Sequence, residues 1–215
     1  TWTGTQYIDT GTIRIGSSVQ QFPAGSTWTI ANIQSGVNAG GWLDLNGFSQ
    51  TVGTLNLYGS ASTVNSQAGV LLGSGGVLTI GGNITLGATT TNTGVLTFNG
   101  TVGLGAATRT LTVDSDVTFA GIVSDGGLTK EGAGALTLSG DNTFSAGTTL
   151  SAGTVRAGHA DAFGGGALIL NAGRLTSDGA TARTLANAVS VGGNVTLGAA
   201  TTFTGALTFG GAVDL

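Results

Sequence analysis

The sequence predicts an all-β chain wound as a parallel β-solenoid, an elongated rod with no significant helix. Three observations lead there: apolar residues alternate with Thr and other small polar residues in many short runs, Gly, Asn and Asp fall between those runs, and long segments repeat one another. Side chains two apart on a strand share a face, so alternation marks strands with one buried side. Corners between strands need positive φ, which Gly, Asn and Asp tolerate. No window of about 12 residues carries convincing helical spacing.

In chain order, the runs VLTI (77–80), NITLG (83–87), GVLTFNG (94–100), RTLTVDSDVTFAG (109–121), GALTLSG (134–140) and GNVTLG (193–198) read as strands. Leu96 with Phe98, Leu111 with Val113, Val117 with Phe119, and Leu136 with Leu138 are expected to point inward. The intervening Thr and Ser face outward, where a β-branched hydroxyl residue suits a stack of strands.

Residues 81–104 (GGNITLGATTTNTGVLTFNGTVGL) align without gaps with residues 192–215 (GGNVTLGAATTFTGALTFGGAVDL), with 17 identities in 24 positions. Residues 2–16 (WTGTQYIDTGTIRIG) pair with 144–158 (FSAGTTLSAGTVRAG), and GGWLDLN (40–46) with GGALILN (165–171). Offsets this long do not suit one immunoglobulin-like sandwich or antiparallel barrel, whereas a parallel solenoid stacks like strands on like. Residues 1–215 are expected to be one continuous solenoid segment from a longer repeat array.

Composition excludes several functions. With no Cys and a single His, neither a thiolate site nor an imidazole cluster can form. The six Lys and Arg residues, Arg14, Arg109, Lys130, Arg156, Arg174 and Arg183, make no basic stripe, so nucleic acid is not an expected partner. No run of 18 apolar residues occurs, so this segment is not expected to insert into a membrane. Glycine is abundant, at 41 of 215 residues, yet 40% hydrophobic residues and a net charge of −4 argue for a folded chain.

Residues 126–158, GGLTKEGAGALTLSGDNTFSAGTTLSAGTVRAG, resemble the passenger-associated transport repeat of bacterial autotransporters, also called the autotransporter-associated β-strand repeat. Lys130, Gly132, Gly134, Leu136, Leu138, Gly140, Asn142, Thr143, Gly147, Thr148, Gly153 and Thr154 fall on its pattern, and Phe144 stands where Tyr is usual. The segments 43–59 and 183–198 are similar to the solenoid spacers around such repeats. The resemblance implies a right-handed parallel β-helix in a secreted passenger, exported through an outer-membrane β-barrel translocator elsewhere in the parent chain. It also implies extracellular or cell-surface localisation and a repeat that assists folding and secretion.

Few residues are candidates for chemistry. Asp114 and Asp116, two apart in LTVDSDVTF, are weak candidates for Ca²⁺ ligands or a glycosidase pair, and solvated outer-face carboxylates are the plainer expectation. His159 with Asp161 is read as a surface or turn pair, and Lys130 with Glu131 as a corner. No nucleophile elbow or phosphate loop occurs, and the sequons at Asn83, Asn99 and Asn194 are what a Thr-rich chain produces. Seven of the thirteen aromatic residues, Trp2, Tyr7, Phe22, Trp28, Trp42, Phe48 and Tyr58, lie in the first 58 residues and read as a core stack.

The expected function is structural: a non-enzymatic, rod-like passenger segment supporting adhesion or display, with no cofactor. Host or neighbouring-cell surface glycans or proteins are the partners considered. A self-associating extracellular filament or sheath subunit is the alternative, and a β-helical polysaccharide-active enzyme a more distant one, short of the convergent charged groups catalysis needs.

Overall fold

The computed structural model describes residues 5–8, 11–17, 19, 22, 25–31, 41–58, 69–71, 76–87, 96–199 and 201–215. Every element among them is a strand. In chain order these are β1 (Thr5–Ile8), β2 (Gly11–Arg14), β3 (Thr27–Ala31), β4 (Gly41–Asp44), β5 (Gln50–Val52), β6 (Thr54–Tyr58), β7 (Gly69–Leu71), β8 (Val77–Ile80) and β9 (Ile84–Leu86). Then come β10 (Leu96–Phe98), β11 (Thr101–Gly103), β12 (Thr108–Val113), β13 (Val117–Phe119), β14 (Val123–Ser124), β15 (Gly127–Glu131), β16 (Ala135–Leu138), β17 (Thr148–Leu150) and β18 (Thr154–Ala157). The last seven are β19 (Leu168–Leu170), β20 (Gly173–Ser177), β21 (Arg183–Leu185), β22 (Val189–Val191), β23 (Val195–Leu197), β24 (Leu207–Phe209) and β25 (Val213–Asp214).

Successive coils stack these strands into long parallel sheets. A ten-stranded sheet follows the order β1-β3-β6-β9-β12-β15-β17-β19-β22-β25, and a nine-stranded sheet the order β2-β4-β7-β10-β13-β16-β18-β20-β23. A third side carries a four-stranded sheet, β14-β11-β8-β5, and farther along a two-stranded one, β21-β24. Neighbouring strands are never consecutive in the chain, which is what a wound chain produces and a hairpin does not.

The core is a set of inward columns, one side chain per coil. Along the ten-stranded sheet Leu55, Ile84, Leu111, Lys130, Leu150 and Leu170 lie in one register. Along the nine-stranded sheet the column runs Leu96, Val117, Leu136, Val155 and Leu175. Beside it Phe98 and Phe119 meet edge to face, with centroids 4.6 Å apart. Each fully buried side chain of this kind contributes roughly 1.5–3 kcal/mol. Thr129 and Thr149 face outward between these columns, as alternation requires.

Two details differ from a plain reading of alternation. RTLTVDSDVTFAG is not one strand: β12 ends at Val113 and β13 begins at Val117, with Asp114, Ser115 and Asp116 forming the corner. Ser115 is buried there, and a Cβ on Gly134 would stand 2.6 Å from Ser115 O. The matched segments 81–104 and 192–215 also occupy different sides of the rod. β9, β10 and β11 correspond by position to β23, β24 and β25, yet β9 belongs to the ten-stranded sheet and β23 to the nine-stranded one. Such a sequence encodes strand, corner and strand, and any side of the solenoid accepts it.

Candidate functional site

Coil length changes along the rod. Leu55 pairs with Ile84, 29 residues on, and Ile84 with Leu111, 27 on. Leu128 then pairs with Thr148 and Thr148 with Leu168, each 20 on. Shortening comes from dropping the third strand: β14 is the end of its sheet, and β15 to β20 alternate between the two long sheets alone. The third side is covered instead by residues 139–147 and 158–167, which have no strand. Phe144 and Phe163, both fully buried, fill the interior behind it.

Asn142 replaces the missing ladder. Its Oδ1 accepts a hydrogen bond from Val123 N, and its Nδ2 donates to Ala162 O, both at 2.7 Å. Val123 lies in the preceding coil and Ala162 in the following one, so one buried amide joins three coils. Thr143 N donates to Val123 O at 2.9 Å beside it. Asn187 makes a simpler tie two coils later, its Nδ2 donating to two carbonyls of the coil before it, Gly164 O at 2.8 Å and Gly166 O at 2.7 Å. Asn142 stood out in the sequence by its place in the motif. Asn187 did not, although a lone Asn among small apolar residues in LANAV is a signal of the same kind.

Lys130 occupies the inward column between Leu111 and Leu150 and is wholly buried. A buried ammonium must be hydrogen-bonded to be tolerated. Its Nζ donates to Glu131 O at 2.7 Å, Gly132 O at 2.8 Å and Ala152 O at 3.1 Å, matching its three protons. The first two acceptors belong to its own corner and the third to the next coil. Gly153 lets that coil come so close: its φ is +71°, and a Cβ on it would stand 2.6 Å from Gly134 O and 2.7 Å from Lys130 Nζ.

Burial pushes the Lys130 ammonium down from 10.5 to about 8, against an opposing pull from Asp114. Between those two values the unfolded chain holds a proton that the folded chain releases. Stability relative to a Lys130→Met chain is therefore lowest below about pH 8, rises through the window and levels above 10.5. Lys130 is the sole lysine, and the chain has no Cys. Denaturant titrations of both chains at pH 7 and pH 10 check the sign. An amine-acylating reagent is also expected to modify Lys130 only on unfolding, read by mass spectrometry.

The other predicted residues have humbler surroundings. Asp116 Oδ2 accepts from Arg156 at 3.0 Å and its Oδ1 from Ala135 N at 3.3 Å, whereas Asp114 lies on the Lys130 side of the corner. The two carboxylates thus serve different partners. Among the described residues, Asp141, His159 and Asp161 are grouped so that they could hold a metal ion, with one ligand atom from each lying within 4.8 Å of the others. His159 Nδ1 there accepts from Asp161 N at 3.1 Å, which occupies the lone pair a metal would use. Of the early aromatics, Phe22 and Trp28 are buried edge to face at 4.6 Å and Phe48 packs against the core. Trp2 and the side chains of Tyr7, Trp42 and Tyr58 lie outside the described residues.

The short coils, their buried lysine and their bridging amide coincide with a known family pattern. Residues 128–157 match the passenger-associated-transport-repeat family model. The transport repeat thus covers β16, β17 and β18 and all but the first residue of β15, and it carries Lys130, Asn142 and Gly153. The transport repeat and the solenoid together fit an autotransporter passenger. No curated protein matches the chain, and no solved structure does.

One residue of the transport repeat works against stability. Thr148 stands in an inward column between Leu128 and Leu168, with its Oγ1 buried and unpaired. Thr148→Val is expected to raise stability by about 1 kcal/mol in denaturant titrations, by removing an unsatisfied hydroxyl at constant shape.

Proposed function

We propose that this chain is a rod-like, extracellular segment of an autotransporter passenger, structural and not catalytic, in which the transport repeat locks successive coils during export. It is displayed at the bacterial surface, supports adhesion or display, and leaves through an outer-membrane β-barrel of the same parent chain. The observation that carries this reading is the coincidence of the family match with the two-sheet coils, where side chains tie three consecutive coils together. Such ties matter for a chain emerging as a thread. Each coil contacts only its neighbours, so folding proceeds by adding coils to a formed stack, and a tie that resists opening prevents slipping back. The low charge, 7% of residues, leaves few strongly hydrated groups to carry through a pore.

Placing the segment between a signal sequence and a translocator barrel in a bacterial host tests this. Surface display of the wild-type segment is expected to exceed that of an Asn142→Leu, Lys130→Met double variant several-fold, with unfolded variant chain degraded in the periplasm. Equal display of both would overturn the export role while leaving the fold untouched.

A further inference from the structure

The outer face of the nine-stranded sheet carries a column of threonines broken by one charged residue. Thr97, Thr118, Thr137, Arg156 and Thr176 share an outward register along β10, β13, β16, β18 and β20, which lie in successive coils. Thr176 stands on this outer face yet is only 1% exposed, so something covers it. The cover is the stretch between β23 and β24, of which residues 198, 199 and 201–205 are described. It doubles back over the sheet as a strap. Phe203 O accepts from Thr176 Oγ1 at 2.9 Å and from Ser177 Oγ at 3.2 Å, and Gly205 N donates to Gly179 O at 2.8 Å. The Phe203 ring lies on Arg156, its centroid 4.3 Å from the guanidinium carbon. In the matched segment 81–104 the place of Phe203 is taken by Asn92, so the repeat pattern does not itself require a ring here.

Arg156 also reaches the other way along the rod. Its Nη1 donates to Asp116 Oδ2 at 3.0 Å. Asp116 stands in the corner before β13 and Phe203 follows β23, with β16, β18 and β20 in the coils between, so the two contacts span five successive coils. Backbone pairing joins each of these coils to its neighbours alone. Arg156 is an exception, reaching two coils in each direction. A planar guanidinium suits this role because it offers a face to a ring and an edge to a carboxylate at once. Only 18% of the Arg156 side chain is exposed, and a ring contact shielded in this way is stronger than one at an open surface.

We propose that Arg156 is a latch for the strap: Asp116 orients the guanidinium, and the oriented guanidinium holds Phe203 down, four coils away from Asp116. Asp116 is thus a positioning residue, acting on the strap through Arg156. The state of one coil is thereby felt at a coil it does not touch, a coupling that a solenoid held by nearest-neighbour contacts alone lacks. The latch is a property of the folded rod and does not depend on the export role.

The test is native-state amide exchange at Gly205, whose N–H is held by the closed strap, in the chain and in Phe203→Leu, Arg156→Met, Asp116→Asn and the Asp116→Asn, Arg156→Met double variant. Asp116→Asn keeps an acceptor for Ala135 N while removing the charge that faces Arg156. Gly205 is expected to exchange about threefold faster or more in Phe203→Leu and in Arg156→Met, and about twofold faster in Asp116→Asn. Once Arg156 is methionine, Asp116→Asn is expected to add nothing further. Chymotrypsin cleavage after Phe203 should rise in the same order. Unchanged exchange at Leu111 and Leu150 shows that each variant keeps the fold, and Arg156→Lys, which keeps the charge but stacks less well, is expected to fall between wild type and Arg156→Met. Gly205 exchange unchanged in Arg156→Met, no effect of Asp116→Asn alone, or an Asp116→Asn effect that persists without Arg156 would each refute the latch.

Discussion

Asn142→Leu is expected to destabilise the chain by about 3–5 kcal/mol, among the largest losses for one substitution. Leucine keeps the same branched four-atom side-chain skeleton but offers neither a donor nor an acceptor. What is lost is satisfaction of two buried main-chain groups in different coils, Val123 N–H and Ala162 C=O. Each unpaired buried group costs about 1–3 kcal/mol. Asn142→Asp tests the assignment further, since a carboxylate keeps the acceptor for Val123 but offers Ala162 O no donor. Chemical denaturation with Trp fluorescence and far-UV circular dichroism measures both, and a loss under 1 kcal/mol for the leucine variant would show that the bridge is incidental.

Gly153→Ala is expected to cost at least as much, although it adds one methyl group. A φ of +71° alone disfavours an L side chain by about 1–2 kcal/mol. The Cβ would then press on Gly134 O and on Lys130 Nζ, which can retreat only by giving up its bond to Ala152 O. Leaving a buried ammonium short of an acceptor adds a further cost of about 1–3 kcal/mol. Combining Gly153→Ala with Lys130→Met is expected to cost less than the sum of the two, because the methyl group and the ammonium compete for one space. Strict additivity in a double-mutant cycle would contradict that coupling.

Much of this was legible in the sequence, and the reasons are local. Alternation placed Leu96, Phe98, Leu111, Val117, Phe119, Leu136 and Leu138 on the inside because a strand has a period of two and each coil must bury one face. Stacking of like on like was visible in the repeats. The corner at Asp114, Ser115 and Asp116 was hidden, since a corner of three small polar residues keeps the alternation running while turning the chain. The inward Lys130 was hidden for a different reason: in LTKEG its partners are main-chain oxygens, which leave no mark on sequence. Its position in a leucine column was nonetheless implied by Leu128, two residues earlier, sharing its face. Loss of the third strand was not visible, because residues 139–147 look like any Gly, Asn and Ser corner until Asn142 is placed opposite a strand end.

The transport-repeat coils are expected to form the most firmly tied block among the described residues. Native-state amide hydrogen exchange, resolved residue by residue, tests it most directly. The slowest exchange is expected at β15 to β18 and at Val123, with these amides sharing one opening free energy and Asn142→Leu lowering it for all of them together. Slowest protection among β3 to β9, or protection of β15 to β18 no greater than that of β22 and β23, would contradict it.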